Sequence, residues 1–332
     1  MYVRRTIDPS VIWFFSKVPL LLFALWSGVA FFLYSCLNLT SIALPFLPVA
    51  TIGTAVAFYV GFKNNASYER LWEARKIWAE IEHLTRLLTD IVLTLPDNAS
   101  ISKAEKAQIL YRQIAWLNAL RLTLRQTHPF HSETIGNTDQ ALLVDKKTGI
   151  NDTQSDIYKE LSSWIPHTEI ELLRRQPNIP STLLRLQMQS LREFEHSGLQ
   201  EHHAGRIFDV IKELGEQQSA AERINNFPFP RQYAHFSSLF VNIFIVLLPF
   251  SLLSELKSDP RNLWLVVPFS VLISWVFFTM EKVGDSSENP FENGINDVPL
   301  SAICRNLEIE IRLALGEEEV PEPLTPKDHI LM

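Results

Sequence analysis

One line of side chains in this sequence has the spacing to do chemistry. Across an apolar run and the stretch GFKNNASYERLWEARKIW (61–78) that follows it, steps of four and three residues from Thr54 lead to Phe58, Phe62, Asn65 or Ala66, Glu69 and Glu73. At about 100° per residue these positions share one narrow strip of a single helix, and no proline interrupts it. The strip is small or aromatic in its first half and acidic in its second. Other faces carry Tyr68 with Trp72, and Arg70 with Lys76. Two readings fit. In the first, the strip is the wall of a pore. Alternatively, the helix is amphipathic where it leaves a membrane and its acids are simply solvated. The second reading explains the charges but not the shared line, because a core helix does not normally place Glu in register with its Phe residues.

Other chemistry is sparse. The chain has no GxGxxG, Walker, HExxH or GxSxG pattern, and no nucleophile stands beside a base, so no enzymatic activity is expected. His128 and His131, and the pair His202–His203 beside Glu201, read as surface histidines, and no metal or cofactor is expected. Cys36 and Cys304 are the only cysteines; they read as two buried thiols in a reducing compartment. A formal charge of −7 argues against nucleic acid as a partner, which would call for a basic surface.

The elements that position the strip are membrane-length helices. A composition of 47% hydrophobic and 20% charged residues describes a hybrid of spanning helices and a large water-exposed part. Spans are predicted over 21–39, 43–62, 236–253 and 263–280, each close to the ~20 residues that cross a hydrocarbon core. Arg4, Arg5 and Lys17 precede the first span, and Lys63, Arg70, Arg75 and Lys76 follow the second. Arg223 and Arg231 precede the third, and Lys282 follows the fourth. Basic residues at these ends put both termini and the long middle segment in the cytoplasm, with Lys257 and Arg261 in an outer hairpin as mild exceptions.

The chain therefore reads as all-α. Residues 1–63 form an N-terminal arm and the first hairpin, 64–234 a helical cytosolic region, 235–281 the second hairpin, and 282–332 a C-terminal loop, helix and tail. In the middle region SKAE (102–105) is a capping-box pattern opening a helix. Residues 131–155 read as a polar, turn-rich loop. Further helices are predicted over 156–175, 180–197 and 204–226, the last ending before FPFP.

Three stretches carry a family resemblance: GFKNNASYERLWEARKIW, AERINNFPFPRQYAHF (221–236) and ENPFENGINDVPLSAICRNLEIEI (288–311), with LRLTLRQTHP (120–129) as a weaker fourth. In this order and spacing around four spans they resemble the bestrophins, and in particular their bacterial branch. The resemblance implies a homopentamer in the bacterial inner membrane, in which the second helices surround a hydrophobic neck above a wide cytosolic vestibule. Vertebrate members conduct anions under calcium control, whereas bacterial relatives pass cations. Transferred to this chain, the neck falls on Thr54, Phe58 and Phe62. Thr54 departs from the family's aliphatic residue and would be wetter.

The family's cytosolic aperture falls near Gly205, which has no side chain to close an exit; either Ile207 or another neighbour takes over, or this exit is wide. The acidic run after NPF reads ENGIND here, and its two acids make a poor calcium cage. Asn293-Gly294 is expected to turn the chain, Asp297 or Asn296 to cap a helix with Pro299 in its first turn, and Leu300, Ile303, Leu307 and Ile311 to form its docked face. Five copies of Glu69 and Glu73 below the neck favour monovalent cations over anions. Glu73 is expected to pair with Arg70 or Lys76. Lys63, turned about 100° from the strip, is expected to face a neighbouring subunit or the lipid headgroups. The expected partners are thus further copies of the chain, the lipid bilayer and inorganic ions. The alternatives are a membrane scaffold or sensor whose central hole stays shut and whose cytosolic helices bind a protein partner, or an anion channel within the same family.

Overall fold

The computed structural model describes residues 1–95, 101–126, 156–196, 199–257 and 261–332. Among them the regular structure is helical, and the only strand-like pairings are isolated bridges from Ile330 to Tyr2 and to Lys327. The helices are α1 (Pro9–Ser35), α2 (Phe46–Thr94), α3 (Lys103–Arg125), α4 (Ile157–Leu161), α5 (His167–Leu173), α6 (Ile179–His196), α7 (Glu201–Asn226), α8 (Arg231–Leu256), α9 (Val266–Asp285) and α10 (Leu300–Ala314). Four of them, α1, α2, α8 and α9, are long and apolar enough to cross a membrane. The predicted loop 131–155 and His128 and His131 lie outside the described residues.

Local chemistry explains several helix ends. Helix α1 starts well before the predicted span, because Pro9 suits the first helical position and the Asp8 carboxylate accepts from the Ser10 amide (3.3 Å). Helix α3 opens on the full capping box, with Ser102 accepting from the Glu105 amide and Glu105 accepting from the Ser102 amide (2.6 Å). The helix predicted over 156–175 is instead two short ones. Pro166, which has no amide hydrogen to continue a ladder, occupies the N-cap of α5 and separates it from α4.

The described chain forms two compact units. The first comprises residues 4–69 and 229–288, and so holds α1, the first half of α2, α8 and α9. Its core packs Val49, Val56 and Val60 of α2 against Val241, Phe244, Ile245 and Leu248 of α8. Indole donors find acceptors here: Trp26 Nε1 donates to the Val246 carbonyl (3.1 Å) and Trp275 Nε1 to Ser16 Oγ (3.0 Å). In a hydrocarbon setting an unsatisfied donor costs several kcal/mol, on the order of ~4, so such pairing is expected.

The second unit comprises residues 1–3, 70–228 and 289–332. Helix α3 is its axle. Ile109, Leu110, Ile114, Trp116, Leu117 and Leu120 are fully enclosed, with α6, α7, α10 and the second half of α2 around them. Several of its buried polar side chains find specific partners. Arg112 forks onto Glu169 (2.6 and 3.1 Å), Trp116 donates to Gln218 (3.0 Å), Arg121 reaches Glu160, and Arg125 donates to Asn293 Oδ1 (2.5 Å). Leu300, Leu307 and Ile311 of α10 are buried on this core, with Ile303 packed against it.

The segment before α10 differs from expectation in one respect. Asn293 does turn the chain, at φ +74°. Asp297, however, does not cap α10. Its Oδ2 accepts from the Gly294 amide (2.8 Å), closing the turn on itself, while Pro299 holds the N-cap position without a side-chain bond. A Cβ on Gly294 would stand 2.8 Å from Asp297 Oδ1, so only glycine fits this closure.

Burial pushes the Asp297 carboxyl from 3.8 up to about 6, although the Gly294 amide and the Arg125 guanidinium pull it down. An acid raised in the folded state adds stability below its unfolded value, and that stability is lost as pH rises through the folded value. The Met1 ammonium, which burial pushes down from 8.0 to about 5, works in the opposite direction over the same range, so Asp297 is isolated by comparison: the thermal midpoint of detergent-purified Asp297→Asn should gain on that of wild type as pH rises from about 5 to about 7. Parallel profiles for the two proteins would contradict this account.

Candidate functional site

The predicted strip lies on α2, a continuous helix of 49 residues. In the first unit its buried positions are Val49, Gly53, Val56, Val60, Lys63 and Ser67, a seam of alternating four- and three-residue steps. From Val60 to Phe58 or Phe62 is a turn of about 200° on a helical wheel. Seam and strip are therefore on opposite sides of the same helix. Burial agrees: Phe58 is 66% and Phe62 72% exposed, whereas Val60 is 0%. Thr54 is also exposed, and its hydroxyl donates back to the Ala50 carbonyl (3.1 Å), so its donor is already used within the helix. That leaves a less wet ring than a free hydroxyl would make.

At the acidic end the carboxylates separate. Glu69 is exposed and accepts from Asn65 Nδ2 (2.7 Å), one turn earlier on the strip. In the second unit Glu73 pairs not with Arg70 or Lys76 but with Arg223 at the end of α7 (2.6 Å). Arg70 is committed elsewhere, donating to the Ile224 and Phe227 carbonyls and so capping the C-terminus of α7. The reason is geometric: the end of α7 offers two carbonyls and a guanidinium to this level of α2.

The prediction for Lys63 is corrected. It faces neither lipid nor a neighbour but is 1% exposed inside its own subunit. Its ammonium lies 2.7 Å from Glu281 Oε1 and 2.5 Å from Asp285 Oδ1 on α9. Ser237 of α8 donates to the other Glu281 oxygen and Lys282 to the other Asp285 oxygen (3.0 Å). Asn64 donates to the Met280 carbonyl (2.9 Å), and α9 comes this close because Gly284 has no side chain: a Cβ there would meet Asn64 Oδ1 at 2.2 Å. This cluster escaped sequence reasoning, although a signal existed. Lys63 continues the four-and-three seam, and Glu281 and Asp285 stand one turn apart at the end of the fourth span.

Two other assignments change. Ile207 of α7 is fully buried in the helical core, held there by the 204–207–211–214 face, and so presents no side chain at an exit. Gly205 is exposed, with nothing within 4 Å of the place a Cβ would take. Cys304 is buried as expected, but Cys36 is exposed, because it sits at the C-cap of α1 beyond its packed face. Among the described residues no group of His, Cys, Asp and Glu is arranged to hold a metal ion.

These features define an α-helical membrane protein in which the second helix turns its unpacked face away from its own subunit. Residues 9–313 match the profile of the bacterial and fungal bestrophin proteins, and the chain belongs to the bestrophin family. Relatives include the voltage-dependent anion channel-forming protein YneE of Escherichia coli K12, 28% identical over 312 residues that cover 93% of this chain and 90% of YneE. Another is the voltage-dependent anion channel-forming protein RSc3414 of Ralstonia nicotianae, 26% identical over 312 residues, covering 90% of each chain. Among solved structures, a bacterial bestrophin homolog from Klebsiella pneumoniae superposes with a TM-score of 0.74 at 24% identity, over 90% of this chain and 98% of that one.

Gly53 gives the seam its closest approach, since a Cβ would stand 2.6 Å from the Phe244 ring. Gly53→Leu should lower the thermal midpoint, at a cost of about 1–3 kcal/mol, and Phe244→Ala in the same chain should recover part of it. A variant Gly53→Leu as stable as wild type would show that the seam is not packed here.

Proposed function

We propose that the protein is an ion channel of the bacterial inner membrane. Five copies set their α2 helices around a central pore, and both termini lie in the cytoplasm. The observation that carries this reading is the placement of Thr54, Phe58 and Phe62 opposite the packed seam, with the two aromatic side chains two-thirds or more exposed on a membrane-length helix. An apolar side chain exposed on one line is explained if the line borders other copies of itself. A ring of such residues gates by dewetting: a narrow apolar constriction empties of water and so excludes ions until it widens.

Glu69 supplies the charge preference. Its carboxylate is exposed, steadied by Asn65, and follows the neck on the same strip; five copies favour monovalent cations. Glu73 contributes less, since Arg223 offsets its charge. On the cytosolic side Gly205 leaves the exit wide. Anion conduction is the second reading. It is favoured by the names of the relatives YneE and RSc3414 and by the Arg223 guanidinium beside Glu73.

In planar bilayers Phe62→Ala should raise unitary conductance severalfold and Thr54→Ile should lower it, because the first widens the dry ring and the second lengthens it. Equal currents from wild type and both variants would rule out the neck, and no current from any of the three would leave the shut scaffold. In a salt gradient the wild-type reversal potential should lie near that of the cation, Glu69→Gln should move it toward zero, and Glu73→Gln should move it less. A wild-type value at the chloride equilibrium potential would establish the anion reading instead.

A further inference from the structure

We propose that Lys63 is the positioning residue of the neck, and that its ion cluster with Glu281 and Asp285 sets the rotation of α2 at the level of Phe62. The inference rests on the channel reading above. Between Val60 and the end of the first unit the buried seam of α2 is no longer apolar: its next positions are Lys63 and Ser67. Hydrophobic contact there cannot fix the helix, and non-directional contact would in any case tolerate a turn of the helix about its axis. The lysine fork does not tolerate it. One ammonium bridges two carboxylates a helical turn apart, and all four carboxylate oxygens are engaged: two by Lys63, one by Ser237 and one by Lys282. Asn64 adds a directional bond to the Met280 carbonyl.

Burying such a cluster carries a desolvation cost that a well-packed apolar seam would avoid. What it supplies is orientation. Phe62 is the adjacent residue and is little packed within the chain, being 72% exposed. Its ring is therefore aimed by Lys63. Releasing the fork lets α2 turn at this level, so that the five rings no longer form one constriction.

The test is a double-mutant cycle on unitary conductance with the full-length protein in planar bilayers, assembly being checked by size exclusion. Lys63→Met should raise conductance about threefold in the wild-type background and have little effect when Phe62→Ala is already present. Lys63→Arg, which keeps the charge and the fork, should stay close to wild type. If Lys63→Met does not assemble, Asp285→Asn replaces it in the same cycle: it breaks the fork while Glu281 still pairs the lysine, and a smaller rise, again lost in the Phe62→Ala background, is expected. An unchanged conductance, or an equal factor in both backgrounds, would overturn the positioning role and leave the neck intact. Phe62→Ala without any effect would remove the neck itself, and this proposal with it.

Discussion

The candidate site depends on the rotation of one helix about its own axis. Helix α2 must present a packed seam and an unpacked strip on opposite sides, and a helix has a single rotational setting with which to do so. Three kinds of contact hold that setting. Near the start, Gly53 lets the Phe244 ring in against the backbone. In the middle, Lys63 is forked by Glu281 and Asp285. Further along, Arg70 and Glu73 are held by the carbonyls and the guanidinium at the end of α7. The first is steric and the other two are directional, and together they leave the helix little freedom to turn.

The polar chemistry of the second unit follows the same logic. Arg112, Arg121 and Arg125 all project from α3 into the core, where an unpartnered guanidinium would be severely destabilising. Each is met by a specific acceptor from another element: Glu169, Glu160 and Asn293. These pairings fix which helices lie next to α3, while the surrounding leucines and isoleucines supply the non-directional burial. The turn at Asn293 and Gly294 is tied into this arrangement through Arg125, so the segment ahead of α10 is set by the same axle.

Much of this was legible in the sequence because it depends on period or on neighbours in the chain. The aligned strip on α2 follows from helical geometry alone, the capping box of α3 from four adjacent residues, and the four membrane-length helices from hydropathy. What was not legible depends on residues far apart in sequence. Lys63 and Glu281 are separated by 218 positions and Glu73 and Arg223 by 150, so Lys63 looked turned to a neighbour or the headgroups, and Glu73 paired within its own helix, until the fold brought each partner alongside. Motif counting located the aperture near Gly205 along α7 but not which face its neighbours take, and Ile207 proves to face the core. Asp297 was misread because a carboxylate ahead of a helix can close the preceding turn as easily as it can cap the helix, and Gly294 decided the matter.

The most direct test of the account is the water accessibility of α2, read in a Cys36→Ser background because Cys36 is exposed. Single cysteines would be placed at Thr54, Phe58 and Phe62 on the strip and at Val56 and Val60 on the seam. Each variant would be exposed to a charged, membrane-impermeant thiol reagent while current is recorded in a bilayer. The account predicts that strip cysteines react and change the current, with seam cysteines protected. Protection along the strip, or equal reactivity on both sides of the helix, would contradict it.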